Sequence, residues 1–179
     1  METIYLAGYH GVGKTIVGKL LSSRKDLKFL DLDLYIEEKE NKSIEEIINL
    51  NGLEYYHNLG KYVLKNTIEQ GMIVSLTVDT VKDEENIKLI KTSGRVIYLR
   101  AKADTIYENL KDEYSKRFDL KNNFSILSID SELKKSKSYY EELANYIIDI
   151  DNKKLNDVFK EALAIYNYAN KVKCNIYIK

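Results

Sequence analysis

The apolar run TIYLA (Thr3 to Ala7) passes directly into GYHGVGKT (Gly8 to Thr15), and that into the amphipathic stretch KTIVGKLLSS. A buried strand, a glycine-rich turn and a helix in that order give the G-x-x-x-x-G-K-[ST] pattern the context it requires. Glycines let the turn aim backbone N–H groups inward at phosphate oxygens, and the following helix adds its positive N-terminal end. Lysine supplies a point charge to the outer phosphates, and the Thr hydroxyl suits magnesium. Gly8, Gly11, Val12, Gly13, Lys14, Thr15 and Ile16 are therefore candidates for holding a nucleotide, with ATP and Mg2+ the expected ligands. His10 fills an unconstrained position of the pattern and reads as a solvent-facing spacer.

Four further apolar runs read as strands: KFLDLD (Lys28 to Asp33), MIVSLTV (Met72 to Val78), RVIYLR (Arg95 to Arg100) and YIIDID (Tyr146 to Asp151). Helical patterns lie between them. SIEEIINLNG has Ser43 as N-cap with Glu46 three residues on, a capping box, and Gly52 as its stop. LEYYHNLGKYVLKNTIEQG continues as a helix to Gly71, followed later by DEENIKLIKTSG, ADTIYENLKDEYSKR, ELKKSKSYYEELA and LNDVFKEALAIYNYA. The tail CNIYIK alternates and is expected as an edge strand. Short apolar strands separated by helices predict a three-layer α/β/α fold, with a central, mainly parallel five-stranded sheet covered on both faces. Without an internal repeat or a Pro/Gly/Ser linker, residues 1–179 are expected to form one domain.

Composition narrows the function classes. The chain has 179 residues, 44% hydrophobic and 31% charged, enough for one sizeable core. Its 28 basic residues balance its 28 acidic ones, which argues against nucleic acid or an anionic membrane as partner. No apolar run approaches the ~20 residues that span a bilayer. A chain that enters a strand at once and carries a single cysteine, Cys174, is expected in the cytoplasm. A small-molecule substrate is the expected partner, and a monomer the expected state, with a homodimer as the alternative. Arginine occurs only at positions 24, 95, 100 and 117, so cationic sites here fall mostly to lysine, without the bidentate fork.

Asp31 and Asp33, at the end of the second strand, lie where an open parallel sheet binds its ligands. On an extended chain they point the same way, one toward a metal shell and the other toward an acceptor hydroxyl. Asp33 reads equally well as the cap of the next helix. Asp79, after the third strand, reads as a turn residue in preference to a magnesium ligand.

Taken together, GYHGVGKT, FLDLDLYIEEKENKSIEEIINLNG, GRVIYLRA, KRFDL and YYEELANYIIDID resemble the shikimate kinases, within the nucleoside-monophosphate-kinase-like P-loop kinases, over about residues 2–168. The resemblance implies ATP-dependent transfer of the γ-phosphoryl group to a hydroxyl of shikimate or a related polyol, under a lid at about residues 111–125. It implies that Lys14 stabilises the transferring group, that Thr15 and Asp31 hold magnesium, and that Asp33 meets the acceptor hydroxyl. Arg117 would be the lid arginine, although Phe118 stands where the family has proline, and Ile150 to Lys154 would border the adenine.

The acceptor side departs from that pattern. Where the family shows G-E-x-x-F-R-x-x-E, this chain reads GLEYYHNLG, placing His57 at the arginine and Gly60 at the last acid. SLTVDT replaces three glycines, and Ser136, between Lys135 and Lys137, falls at a second arginine. Two lost charge-assisted contacts, each worth ~1.5–3 kcal/mol, weaken carboxylate binding by about two to four powers of ten, unless a lysine recovers part of it. The donor half is intact and the acceptor half altered. His57 is the candidate substrate residue there. The alternative reading is a nucleotide-binding relative with another acceptor, or without kinase activity and acting through a partner.

Overall fold

Strand β1 (Thr3–Ala7) is buried along its whole length and sits at the centre of a five-stranded sheet of order β2-β3-β1-β4-β5. A computed structural model describes residues 2–69, 71–116 and 124–174. The other strands are β2 (Phe29–Asp31), β3 (Ile73–Ser75), β4 (Gly94–Arg100) and β5 (Tyr146–Asp149). Every described strand pair is parallel, β1 aligning Ile4 with Ile73 on one side and with Arg95 on the other. Parallel pairing requires a crossover after each strand, and eight helices among the described residues provide it.

Strand alternation divides the core between two layers. Ile4, Leu6, Ile97 and Leu99 face α1 (Lys14–Lys25), α6 (Ala103–Lys116) and α8 (Leu155–Cys174). Tyr5, Ala7, Val96 and Tyr98 face the opposite layer, built from α2 (Leu32–Glu40), α3 (Ile44–Asn51), α4 (Leu53–Thr67), α5 (Glu84–Ser93) and α7 (Ile126–Leu143). The three-layer α/β/α arrangement read from the sequence is the one found. Gly18 of α1 lies so close to β2 that an added Cβ would overlap the ring of Phe29. That approach sets the start of α1 beside the end of β2.

Several boundaries differ from expectation. β2 stops at Asp31, because the Asp31 carboxylate accepts the N–H of Leu34 and caps α2. Asp33 is therefore in the first turn of a helix, not on the strand. β3 is shorter than MIVSLTV, and a 3-10 turn, Thr80–Lys82, follows it. α4 ends at Thr67 rather than Gly71, and α7 starts at Ile126, capped by Ser125. Of the expected edge strand at 174–179, all but Cys174, which ends α8, lies outside the described residues, as do 117–123 of the expected lid, whose residues 111–116 belong to α6.

Candidate active site

β1 runs into the glycine turn at the carboxyl edge of the sheet, where strand order reverses about β1, the usual ligand crevice of such sheets. Gly13 enters α1 with φ 87° and ψ 17°, a left-handed conformation open to glycine at little cost. Lys14, the first residue of α1, folds back over the turn. Its Nζ donates to the carbonyls of Gly8 at 2.8 Å and Tyr9 at 3.0 Å. Burial pulls its pKa down to about 8, against the upward pull of the Asp33 and Asp31 carboxylates. An ammonium so placed is poorly hydrated and gains from an incoming polyanion.

The Thr15 hydroxyl donates to Oδ2 of Asp31 at 2.6 Å. The other Asp31 oxygen accepts the Leu34 N–H at 3.4 Å, so the helix cap also orients the carboxylate. A hydroxyl and a carboxylate side by side at the foot of a phosphate loop are hard oxygen donors. They fit magnesium, which takes one or two protein oxygens and leaves the rest to phosphates and water.

Asp33 reaches the same crevice from α2. Its Oδ1 accepts the Tyr56 hydroxyl of α4 at 2.6 Å. Burial raises the pKa of Asp33, and the Tyr56 hydrogen bond and Lys14 partly offset this. Lys14, Thr15, Ile16, Asp31 and Asp33 all line one cleft of about 740 Å³. Ile150, Asn152 and Lys153, from the loop read as adenine-side, line it too. Gly11 and Val12 also border it, and the Asn109 amide of α6 donates to the Gly11 carbonyl at 2.9 Å. His10 lies exposed on the wall of the same cleft. Arg117 lies outside the described residues.

Beside Asp33 a second cleft, of about 270 Å³, holds what the sequence reading left apart. His57 of α4 faces Asp79, with Nε2 3.4 Å from Oδ2 but without hydrogen-bond alignment, so that nitrogen is buried with no hydrogen-bond partner. Asp79 opens the 3-10 turn, as its reading as a turn residue anticipated, and pairs with Lys82 at 2.6 Å. Burial opposes its charge, but Lys82 and then His57 outweigh it and hold the carboxyl below the usual range. Ser136 is buried and its hydroxyl turns back to the Glu132 carbonyl at 2.8 Å. Lys135 and Lys137 are exposed on α7 beside Glu132 and Glu141, and neither lines this cleft. No lysine of α7 takes the arginine's place.

Two contributors went unread in the sequence: Tyr56 and the pairing of Asp79 with His57. Tyr56 had a signal, since it stands at the phenylalanine of the G-E-x-x-F-R-x-x-E pattern. Tyr140 lines neither cleft; it stacks on Tyr98 at 4.8 Å in the core beneath.

A strand, a glycine turn and a helix with Lys14 and Thr15, set beside two carboxylates at the carboxyl edge of a parallel sheet, define a P-loop phosphotransferase. The family model for shikimate kinase matches residues 10–167. A shikimate kinase of Alkaliphilus oremlandii is 35% identical over 167 residues, covering 90% of this chain and 96% of that protein. A shikimate kinase from Aquifex aeolicus superposes with TM-score 0.75 at 27% identity, over 90% of this chain and 94% of that one. One from Acinetobacter baumannii, solved in complex with shikimate, superposes with TM-score 0.83 at 23% identity, over 100% and 96%. The chain belongs to the shikimate kinase family.

Proposed function

We propose that this chain transfers the γ-phosphoryl group of ATP to a ring hydroxyl of shikimate or a related polyol. The observation that carries the reading is the convergence of Lys14, Thr15, Asp31 and Asp33 on one cleft at the carboxyl edge of the sheet. Lys14 neutralises charge on the transferring phosphoryl oxygens, and its depressed pKa reflects a cation waiting for anionic neighbours. Thr15 and Asp31 would hold magnesium, whose charge offsets that of the phosphates. Asp33 takes the proton of the acceptor hydroxyl as its oxygen bonds to the γ-phosphorus and the bond to the bridging oxygen breaks, leaving ADP. Burial, by raising the Asp33 pKa, makes it a better base than an exposed aspartate. Arg117, within the lid proposed at 111–125, adds a further cation to the closed site. His57, on the acceptor side, is a hydrogen-bonding residue for the substrate.

The test is ADP release from Mg-ATP with and without shikimate, beside a Lys14→Ala control. Acceptor-dependent turnover that the control lacks is the expected result. Release that ignores every polyol offered, with ATP still bound, would overturn the reading.

A further inference from the structure

We propose that the acceptor cleft selects an uncharged ring polyol over one bearing a carboxylate, and that Asp79 enforces the choice. The inference rests on the kinase reading above and chooses among the acceptors it allows. Tyr56 lines the second cleft and hydrogen-bonds Asp33 in the first, so an acceptor whose hydroxyl meets Asp33 has the rest of its ring beside Tyr56, His57 and Asp79.

A carboxylate placed there needs a free cation. Among the described residues lining the cleft, both lysines are already engaged: Lys82 with Asp79 at 2.6 Å, and Lys61 with Asp83 at 2.7 Å. Any positive charge on His57 is opposed by Asp79 at 3.4 Å. A second carboxylate would meet the Asp79 carboxylate before it met an unpaired cation, and like charges brought together at a recognition surface are strongly disfavoured.

What the site offers instead is neutral hydrogen bonding. His57 Nε2, on the cleft wall, is a buried polar atom without a hydrogen-bond partner among the described residues. Orphaned buried polar atoms are costly in a folded protein, so a ligand that meets His57 Nε2 gains from the contact. Ring hydroxyls, each both donor and acceptor, match an imidazole nitrogen in either of its neutral forms. Asp79, in turn, accepts from a hydroxyl as readily as it repels a carboxylate.

The experiment uses a matched pair on the full chain: shikimate, and the same ring with its carboxylate reduced to hydroxymethyl. The neutral alcohol is expected to show a kcat/KM about tenfold or more above that of shikimate. Asp79→Asn should narrow that ratio by freeing Lys82, and Lys82→Met should widen it by exposing the Asp79 charge. A wild-type preference for shikimate, or a ratio that neither variant moves, overturns the inference and leaves the kinase reading intact. If neither compound is phosphorylated while Mg-ATP binds, the kinase reading itself has failed, and this inference with it.

Discussion

The hydroxyl of Tyr56 donates to Oδ1 of Asp33 across 2.6 Å, tying α4 to α2 at the point where the two clefts meet. Burial and the Asp33 charge push the Tyr56 phenol far above its ordinary pKa, so it remains a donor at any working pH. With Oδ1 occupied, Oδ2 is the oxygen left for the acceptor hydroxyl that we propose Asp33 meets. Tyr56→Phe keeps the ring and removes the donor. A hydrogen bond to a charged group is worth ~1.5–3 kcal/mol, so kcat should fall about tenfold or more, while the KM for ATP stays within about twofold. Steady-state kinetics with each substrate varied separates these. An unchanged kcat would show that Asp33 orients without Tyr56.

Asp33 also carries a stability cost that a substitution can reveal. Burial raises its folded pKa above the value in the unfolded chain. Below the ordinary carboxylate range both states are protonated and the cost is absent. It grows as pH rises toward the folded pKa and is full above it. Asp33→Asn keeps an oxygen to accept from Tyr56 and removes the charge. At pH 7 the variant should melt at a higher temperature than the wild type, with the gap closing in acid, while phosphoryl transfer falls by about 10²–10⁴. A lower melting temperature at pH 7 would mean that the pairing with Lys14 outweighs the burial.

Lys14 gives a proton-linked signature of nucleotide binding. With a pKa of about 8 it is half protonated at pH 8 in the free chain. Phosphate charges arriving beside it raise that value, so binding at pH 8 should take up as much as about half a proton per nucleotide. Titration calorimetry in buffers of different ionisation enthalpy reads the uptake directly, and Lys14→Met should lose it. The stability sign follows the same logic. A depressed lysine pKa costs folding free energy in full below about 8, and the cost is relieved as pH rises toward the ordinary 10.5. Lys14→Met should therefore stabilise the free chain at pH 7 and lose that advantage above pH 10.5.

Local signals were the legible ones. The capping box formed as read: Ser43 Oγ accepts the Glu46 N–H at 3.2 Å, and Glu46 Oε2 accepts the Ser43 N–H at 2.8 Å. The phosphate turn likewise depends on neighbours within one strand–turn–helix segment. Asp33 was misplaced because D-L-D alternates like a strand, and nothing in that spacing reveals that the Asp31 carboxylate turns back to cap a helix. Tyr56 with Asp33, and His57 with Asp79, join residues more than twenty positions apart on different elements. Such pairs exist only once the sheet has brought α2, α4 and the turn after β3 together. With 15 tyrosines in the chain, composition hid the one that touches Asp33.

The contact between α1 and β2 links packing to Thr15 and Asp31, the pair we propose for magnesium. Gly18 lets α1 settle on Phe29, one turn from Thr15, whose hydroxyl must reach Asp31 at the end of the same strand. A side chain at position 18 overlaps the Phe29 ring, so either the ring turns or the helix lifts. Gly18→Val should destabilise the fold by ~1–3 kcal/mol, as overpacking of a close-packed core generally does. Lifting the helix also lengthens the Thr15–Asp31 contact, so Mg-ATP should bind more weakly than nucleotide without metal is weakened. Chemical denaturation gives the first quantity, and nucleotide titrations with and without magnesium give the second. If the variant loses stability but keeps its magnesium-dependent gain in affinity, the ring has moved and the helix has not.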